Sequence, residues 1–218
     1  MKGLMNVTMW KAVAAVVIVS LIACGGVMAQ PTLSGFSGLF TIPTAETLNQ
    51  GIFNVGLNSG ELQDWDDWNY YANFGVGSET EVGVLTGDRD TMLSFKRALT
   101  PFDGAGPDIA AGVFDVTDSV ETTVYLVASW QQGREVGMVD GREVHLLNIH
   151  TGFAAGQLQD FFAGVNVRFG PHMQIMGEWA DDDINLSVRF SPIQNFTVDA
   201  GFLGMDDIAA NVSYQSTF

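Results

Sequence analysis

Asp207-Ile208-Ala209-Ala210-Asn211-Val212-Ser213-Tyr214-Gln215-Ser216-Thr217-Phe218 closes the chain, and its reading decides the fold. The even positions Ile208, Ala210, Val212, Tyr214 and Phe218 are largely apolar, whereas Asp207, Asn211, Ser213, Gln215 and Thr217 are polar. Successive side chains of a strand point to opposite faces, so this segment predicts a β-strand with one apolar and one polar face. Chain ends usually fray, yet this one stops on an aromatic residue at the end of a clean alternation. The edge strand of a soluble sandwich and the closing strand of a membrane barrel share that pattern, so the rest of the chain must separate them.

The same alternation recurs upstream. Phe53, Val55 and Leu57 alternate with Asn54 and Asn58, and Tyr70, Ala72, Phe74 and Val76 alternate with Asn69 and Asn73. Runs at 80–85, 91–98, 108–114 and 122–130 follow, then 143–153, 161–169, 173–179, 184–190 and 196–202. With the last strand this makes about twelve, the even number that a closed outer-membrane barrel requires. A sandwich would place Lys-rich exteriors and blunted edges around one shared core. Here the polar faces carry Asn, Ser, Gly and Thr, with little Lys. Aromatics recur near predicted strand ends, at Trp68, Tyr70, Trp130, Phe153, Phe161, Phe169, Trp179, Phe190, Phe202 and Phe218, as two interfacial girdles would need. The fold class expected is therefore all-β: an antiparallel, up-and-down transmembrane β-barrel of about 12 strands spanning residues 51–218. In such barrels a terminal aromatic belongs to the signal read by the assembly machinery, which would give Tyr214 and Phe218 that role.

The N-terminus reads as an export signal. Lys2 and Lys11 precede the apolar run Ala12–Ala23, too short for a comfortable span. Val27-Met28-Ala29 offers small residues before Gln30, predicting a signal peptide over residues 1–29. Leu21-Ile22-Ala23-Cys24 also resembles a lipobox, which would anchor a soluble β-domain through an acylated Cys24. Both readings export the chain; a barrel anchors itself and needs no acyl chain. Residues 30–50, rich in Gly and carrying Pro43, make a poor central strand and read as an irregular lead-in able to lie inside a lumen or along a rim.

The full chain carries 9 Lys and Arg against 25 Asp and Glu. Without Lys2 and Lys11 the balance is 7 against 25, a net charge of −18. Such a surface repels phosphate backbones, so nucleic acid is not an expected partner. A single cysteine excludes a disulfide framework and a cysteine-rich metal site.

At this point a resemblance can be stated. Gly35, Gly38-Leu39, Ile42-Pro43-Thr44-Ala45, Leu48 and Gly51 resemble the start of YjbH-type outer-membrane proteins. Residues 164–169, 176–181 and 183–192 resemble that family too, whereas the middle of the chain matches only in style. The resemblance implies a bacterial outer-membrane barrel linked to exopolysaccharide, with membrane lipid, lipopolysaccharide, the barrel-assembly machinery and polysaccharide as partners. The family's better-known members are much longer, so its fold transfers more readily than its role. A structural or transport function, assisting exopolysaccharide export, is the expectation; a narrow channel for small polar or cationic solutes is the alternative.

Three groups of candidate residues follow. Arg168, Glu178, Arg189 and Asp199 fall on inward faces of consecutive strands, so alternating charges would form a lumen ladder that either orients solutes or simply pairs the strands. Glu61, Asp64, Asp66, Asp67, Asp88, Asp90, Asp115, Asp118, Asp181, Asp182, Asp183, Asp206 and Asp207 collect at the rim opposite the termini. Their spacing matches no Ca²⁺ loop, so solvated turns explain them without a metal, and no cofactor is expected. His145, His150 and His172 come without a Gly-x-Ser-x-Gly elbow or a His-Glu-x-x-His motif, and Thr123, Ser129 and Thr151 are loose companions at best. No enzyme is expected.

Overall fold

The structure, a computed structural model, describes residues 29–59, 68–77, 79–87, 91–100, 106–132, 138–139, 142–143, 147–158, 160–169 and 172–218. The strands are β1 (Ile52–Ser59), β2 (Asn69–Gly77), β3 (Thr80–Thr86), β4 (Thr91–Ala98), β5 (Asp108–Phe114) and β6 (Thr123–Gln132). The two-residue strands β7 (Met138–Val139) and β8 (Arg142–Glu143) come next. Then follow β9 (Leu147–Ala155), β10 (Asp160–Phe169), β11 (Met173–Ala180), β12 (Asp183–Ile193), β13 (Phe196–Leu203) and β14 (Asp207–Thr217). Twelve of them close a barrel in the order β1-β14-β13-β12-β11-β10-β9-β6-β5-β4-β3-β2, while β7 and β8 pair only with each other.

Every pairing in the barrel is antiparallel, and the last strand seals it against the first through Ile52↔Thr217 to Ser59↔Ala210. One expected strand needs correction: the run predicted over 143–153 starts at Leu147 and extends to Ala155, because Arg142–Glu143 pairs with Met138–Val139 outside the barrel wall. The segment holding His145 lies outside the described residues.

Alternation sorts the two faces as the sequence implied. On β14, Ala209, Asn211, Ser213 and Gln215 are buried inside, whereas Ile208 is 72% and Phe218 76% exposed outside. Val124 and Leu126 of β6, Phe153 of β9, Val165 of β10, Ile175 of β11 and Leu186 and Val188 of β12 also face out. An outer surface made of such side chains is stable in lipid and unfavourable in water, which is the pattern of a transmembrane barrel. Aromatics cap this band at both ends. Phe153, Phe161 and Trp179 stack in sequence at the end opposite the termini, with centroids 5.4 and 5.7 Å apart. Phe53, Tyr214, Phe74 and Phe218 cluster at the terminus end across the closing seam. At that seam the Phe218 amide also donates to the Gly51 carbonyl at 3.0 Å.

The apolar core lies within the barrel. Leu33, Leu39, Phe40, Ile42 and Ala45 pack against Ala110, Tyr125, Val127, Phe162 and Met176 of the wall. Phe36 packs with Tyr71, Leu85, Met92 and Phe114. Residues 31–40 are buried without exception. The N-terminal segment therefore occupies the lumen and supplies part of the core that fills a barrel of this size.

The segment is a knot of short turns. Backbone bonds run from the Thr32 amide to Phe36 (2.7 Å), from Leu33 to Phe40 (2.8 Å) and from Leu39 to Ile42 (3.0 Å), and isolated bridges join Pro31 with Ser37 and Gly38 with Pro43. Two motif glycines have specific causes. Gly35 turns with φ +88°, a region L side chains avoid. At Gly38 a Cβ would lie 2.2 Å from the Ile42 carbonyl oxygen and 3.0 Å from Pro43 Cα, so only a bare backbone fits the bridge.

Candidate functional site: the filled lumen

The wall holds this segment mainly through side chains that bind its backbone. Two cross-strand pairs stand on opposite sides of the barrel: Glu81 with Lys96 on β3 and β4, and Arg189 with Asp199 on β12 and β13. Glu81 accepts hydrogen bonds from the Ser37 amide (2.9 Å), the Ser37 hydroxyl and the Leu48 amide (3.0 Å). Lys96 Nζ donates to the Ser37 carbonyl at 2.7 Å and to the Glu46 carbonyl. Across the lumen, Arg189 Nη2 donates to the carbonyls of Pro31 and Leu39, each at 2.9 Å, and Nη1 donates to Gly38 at 3.2 Å. Its remaining face pairs with Asp199, with Nε to Oδ1 at 2.8 Å. A planar guanidinium can serve a carboxylate and three carbonyls at once, which a lysine cannot.

Glu178 on β11 adds a third anchor. Its carboxylate accepts from the amides of Phe40 and Thr41 and from the Thr41 hydroxyl, with the Thr41 amide at 2.9 Å. Asn58 and Asn73 donate to the carbonyls of Leu33 and Gly35 from the opposite wall. Buried backbone that leaves secondary structure must find such partners, so the inward Asn, Glu and Arg residues satisfy a chain that would otherwise be orphaned.

The four charges expected to form one ladder do not make a single row. Arg189 and Asp199 meet directly. In the observed register Arg168 and Arg189 both lie level with Gln174, whereas Glu178 lies level with Gly164 and Asn185. Four residues of strand separate Glu178 from that level, about 13 Å at the usual rise. Glu178 therefore meets the inner segment, and Arg168 stands half-buried nearer the terminus end. Glu81 and Lys96 lie outside the expected ladder. Their signal was available: two opposite charges at inward positions, Glu81 between Thr80 and Val82, and Lys96 between Phe95 and Arg97.

Ser129, set aside as a loose companion of a histidine, joins a chain of hydrogen bonds. Ser129 Oγ and His150 Nδ1 are 2.8 Å apart, and His150 Nε2 lies 2.8 Å from Asn166 Oδ1. The serine oxygen also accepts the Ala45 amide at 2.8 Å, and all three wall residues are buried beneath the segment. The hydroxyl is thereby committed to holding Ala45. His172 sits at a turn, where Nδ1 lies 2.8 Å from the Ser191 carbonyl. Among the described residues no group of three His, Cys, Asp or Glu side chains is arranged to hold a metal.

At the end opposite the termini a cavity of about 720 Å³ opens above the segment, floored by Ser34, Phe36 and Thr41 and edged by Asp160, Asp181, Asp182, Asp183, Asp206 and Asp207. Asp181 and Asp182 have φ of 53° and 65° and form the tight connection between β11 and β12, so their placement there meets a backbone need. Asp115 is different. Its shielding pushes the carboxyl up. The amides of Val120, Ser119 and Glu121 and the Thr117 hydroxyl, all bonded to its oxygens, more than offset this and hold it below the ordinary carboxylate range. Glu61, Asp64, Asp66, Asp67, Asp88 and Asp90 lie outside the described residues.

Comparison with solved structures gives the fold a relative. A KdgM porin superposes with a TM-score of 0.50 at 9% identity, over 77% of this chain and 99% of that one. This chain has the fold of an outer-membrane porin barrel. A KdgM porin in complex with disordered oligogalacturonate aligns over the same shares, with a TM-score of 0.47 and 10% identity. OprB of Pseudomonas putida, in a low-pH structure, aligns with a TM-score of 0.35 and 16% identity, over 76% of this chain and 62% of that one. No protein-family model and no curated protein matches the chain. The YjbH-type family therefore finds no support here, and the supported likeness is to porin-like twelve-stranded barrels.

Proposed function

We propose that this protein is a bacterial outer-membrane barrel held closed by its own residues 30–50, which act as a plug. In this reading it serves a structural or transport role, and solutes cross only when the plug leaves. The observation that carries the proposal is the anchoring of one buried segment to opposite walls, through Glu81 and Lys96 on one side and Glu178 and Arg189 on the other. A wall vacated by the plug would present Asn54, Asn58, Asn73, Asn166 and Gln215 among a few balanced charges, a lining suited to small polar solutes. The barrel's lipid-compatible exterior favours this reading over a soluble β-domain tethered at Cys24.

Assistance to exopolysaccharide export is the finer part of the proposal. It rests on the resemblance of residues 35–51 and 164–192 to YjbH-type proteins, and comparing secreted polysaccharide between cells with and without the chain tests it. Signal-directed export, the assembly machinery reading Tyr214 and Phe218, and lipopolysaccharide around the aspartate-rich end complete the picture. Planar-bilayer recording tests the main claim. The full chain should be silent, and a chain lacking residues 31–48 should conduct; a silent deletion variant that is folded would refute the channel.

A further inference from the structure

The plug is not held alike along its length, and this asymmetry identifies a release mechanism that rests on the closed-barrel reading above. Both of its ends lie at the terminus-side mouth. Ala29 packs with Leu48 and Ile52 there, and Gln30 Nε2 donates to Gln215 Oε1 at 3.4 Å. Asn49 and Gln50 are exposed at this mouth, and Gly51, with φ +81°, has nothing within 4 Å of where a Cβ would stand. Gly51 itself is fixed in the seam, its amide donating to the Gly75 carbonyl at 3.1 Å and its carbonyl accepting from the Phe218 amide at 3.0 Å, so the exposed Asn49 and Gln50 before it are where the plug can pivot.

The turns of the plug reach the other mouth, under the cavity. Thr41 is the single position within residues 31–45 that is not buried, and it lines the cavity floor beside Asn185. There the Thr41 amide and hydroxyl and the Phe40 amide converge on Glu178, and Asn185 Nδ2 donates to Thr41 Oγ1 at 3.1 Å. Glu178 is itself buried, as are Arg189, Glu81 and Lys96, whose contacts lie beneath this layer, and the anchor reaches the cavity through Thr41 and Asn185. The cavity thus meets the plug where one carboxylate gathers its donors.

We propose that Glu178 and Thr41 form the latch of a gate, and that the plug swings out through the terminus-side mouth about Asn49 and Gln50 once this latch is broken from the cavity. Glu178 is a positioning residue: its carboxylate, with both oxygens accepting, fixes the tip of the plug, and an amide in its place would point a donor at other donors. Losing one charge-assisted hydrogen bond shifts a two-state equilibrium roughly ten- to a hundred-fold.

Single-channel recording of the full chain, Glu178→Gln, Thr41→Val and the 31–48 deletion tests the latch. Both point variants should open briefly, with an open probability roughly ten- to a hundred-fold above the full chain and the unit conductance of the deletion variant. Thr41→Val keeps the side-chain shape and leaves Glu178 in place, so it decides the matter if Glu178→Gln does not assemble. If the deletion conducts while both point variants stay as silent as the full chain, the latch is wrong and the closed-barrel reading stands. If the deletion is itself silent, both fall.

Discussion

Replacing Arg189 by methionine removes the most heavily used side chain of the lumen. The wild-type guanidinium makes two bonds to Asp199, at 2.8 and 3.1 Å, and three to the carbonyls of Pro31, Gly38 and Leu39. After the substitution Asp199 remains fully buried, with the Asn211 side-chain amide at 3.0 Å as its remaining side-chain donor. Removing one member of a buried pair costs about 3–5 kcal/mol, because the other charge stays desolvated without compensation. For a chain of this size roughly 2–4 °C accompany each kcal/mol, so the midpoint should fall by about 6–20 °C. The assay is a semi-native gel in SDS, where a folded barrel runs apart from its boiled form, measured over a temperature series. Asp199→Asn in the same assay should cost less, because Arg189 keeps its three carbonyl partners on the plug. An Arg189→Met midpoint within about 2 °C of wild type would refute the reasoning, since a real buried pair cannot be broken that cheaply.

Three further expectations follow from particular contacts. Deleting Phe218 removes its ring contacts with Phe53 and Phe74 at 6.4 and 6.5 Å and the bond to the Gly51 carbonyl, and the yield of assembled barrel in outer-membrane fractions should drop severalfold. Gly38→Val forces a side chain into the Pro43 bridge, so the plug should loosen and chymotrypsin should cut at Phe36 or Phe40 in the folded barrel, where wild type is resistant. Asp115 has a folded-state carboxyl below its usual range, so its support for the 115–122 loop is present above the unfolded pKa near 3.9 and fades as pH falls through the folded value. Loop protection from protease should therefore be equal at pH 5 and 8 in wild type, and reduced at both in Asp115→Ala.

Much of the barrel was legible because a strand has a period of two. Ile208, Val212 and Tyr214 could be assigned to the outer face and Asn211 and Gln215 to the inner one from their positions alone, and the same held for Phe153 against His150. Aromatic girdles and the closing Phe218 followed from strand ends. The stagger between strands was not legible. Alternation fixes the face of each residue but not its level, which is why Arg168 and Glu178 seemed to be neighbours and are not. The start of β9 at Leu147 was missed for a related reason: Arg142–Glu143 continues the apparent alternation but pairs locally with Met138–Val139. Glycine and proline showed residues 30–50 to be irregular. Their path through the lumen is set by wall side chains bonding to plug backbone, and backbone partners leave no mark in the sequence of the plug itself.

Thiol labelling of Thr32→Cys tests the central claim most directly. Thr32 is fully buried, with its methyl beside Gly38, and its hydroxyl makes no hydrogen bond, so the substitution should leave the fold intact. The chain's native cysteine, Cys24, sets the background through the unsubstituted parent. In outer membranes the new thiol should resist a water-soluble maleimide, and it should react fully once the barrel is unfolded by boiling. Rapid labelling in the folded barrel would show that residues 30–50 lie outside the lumen, and would contradict the account.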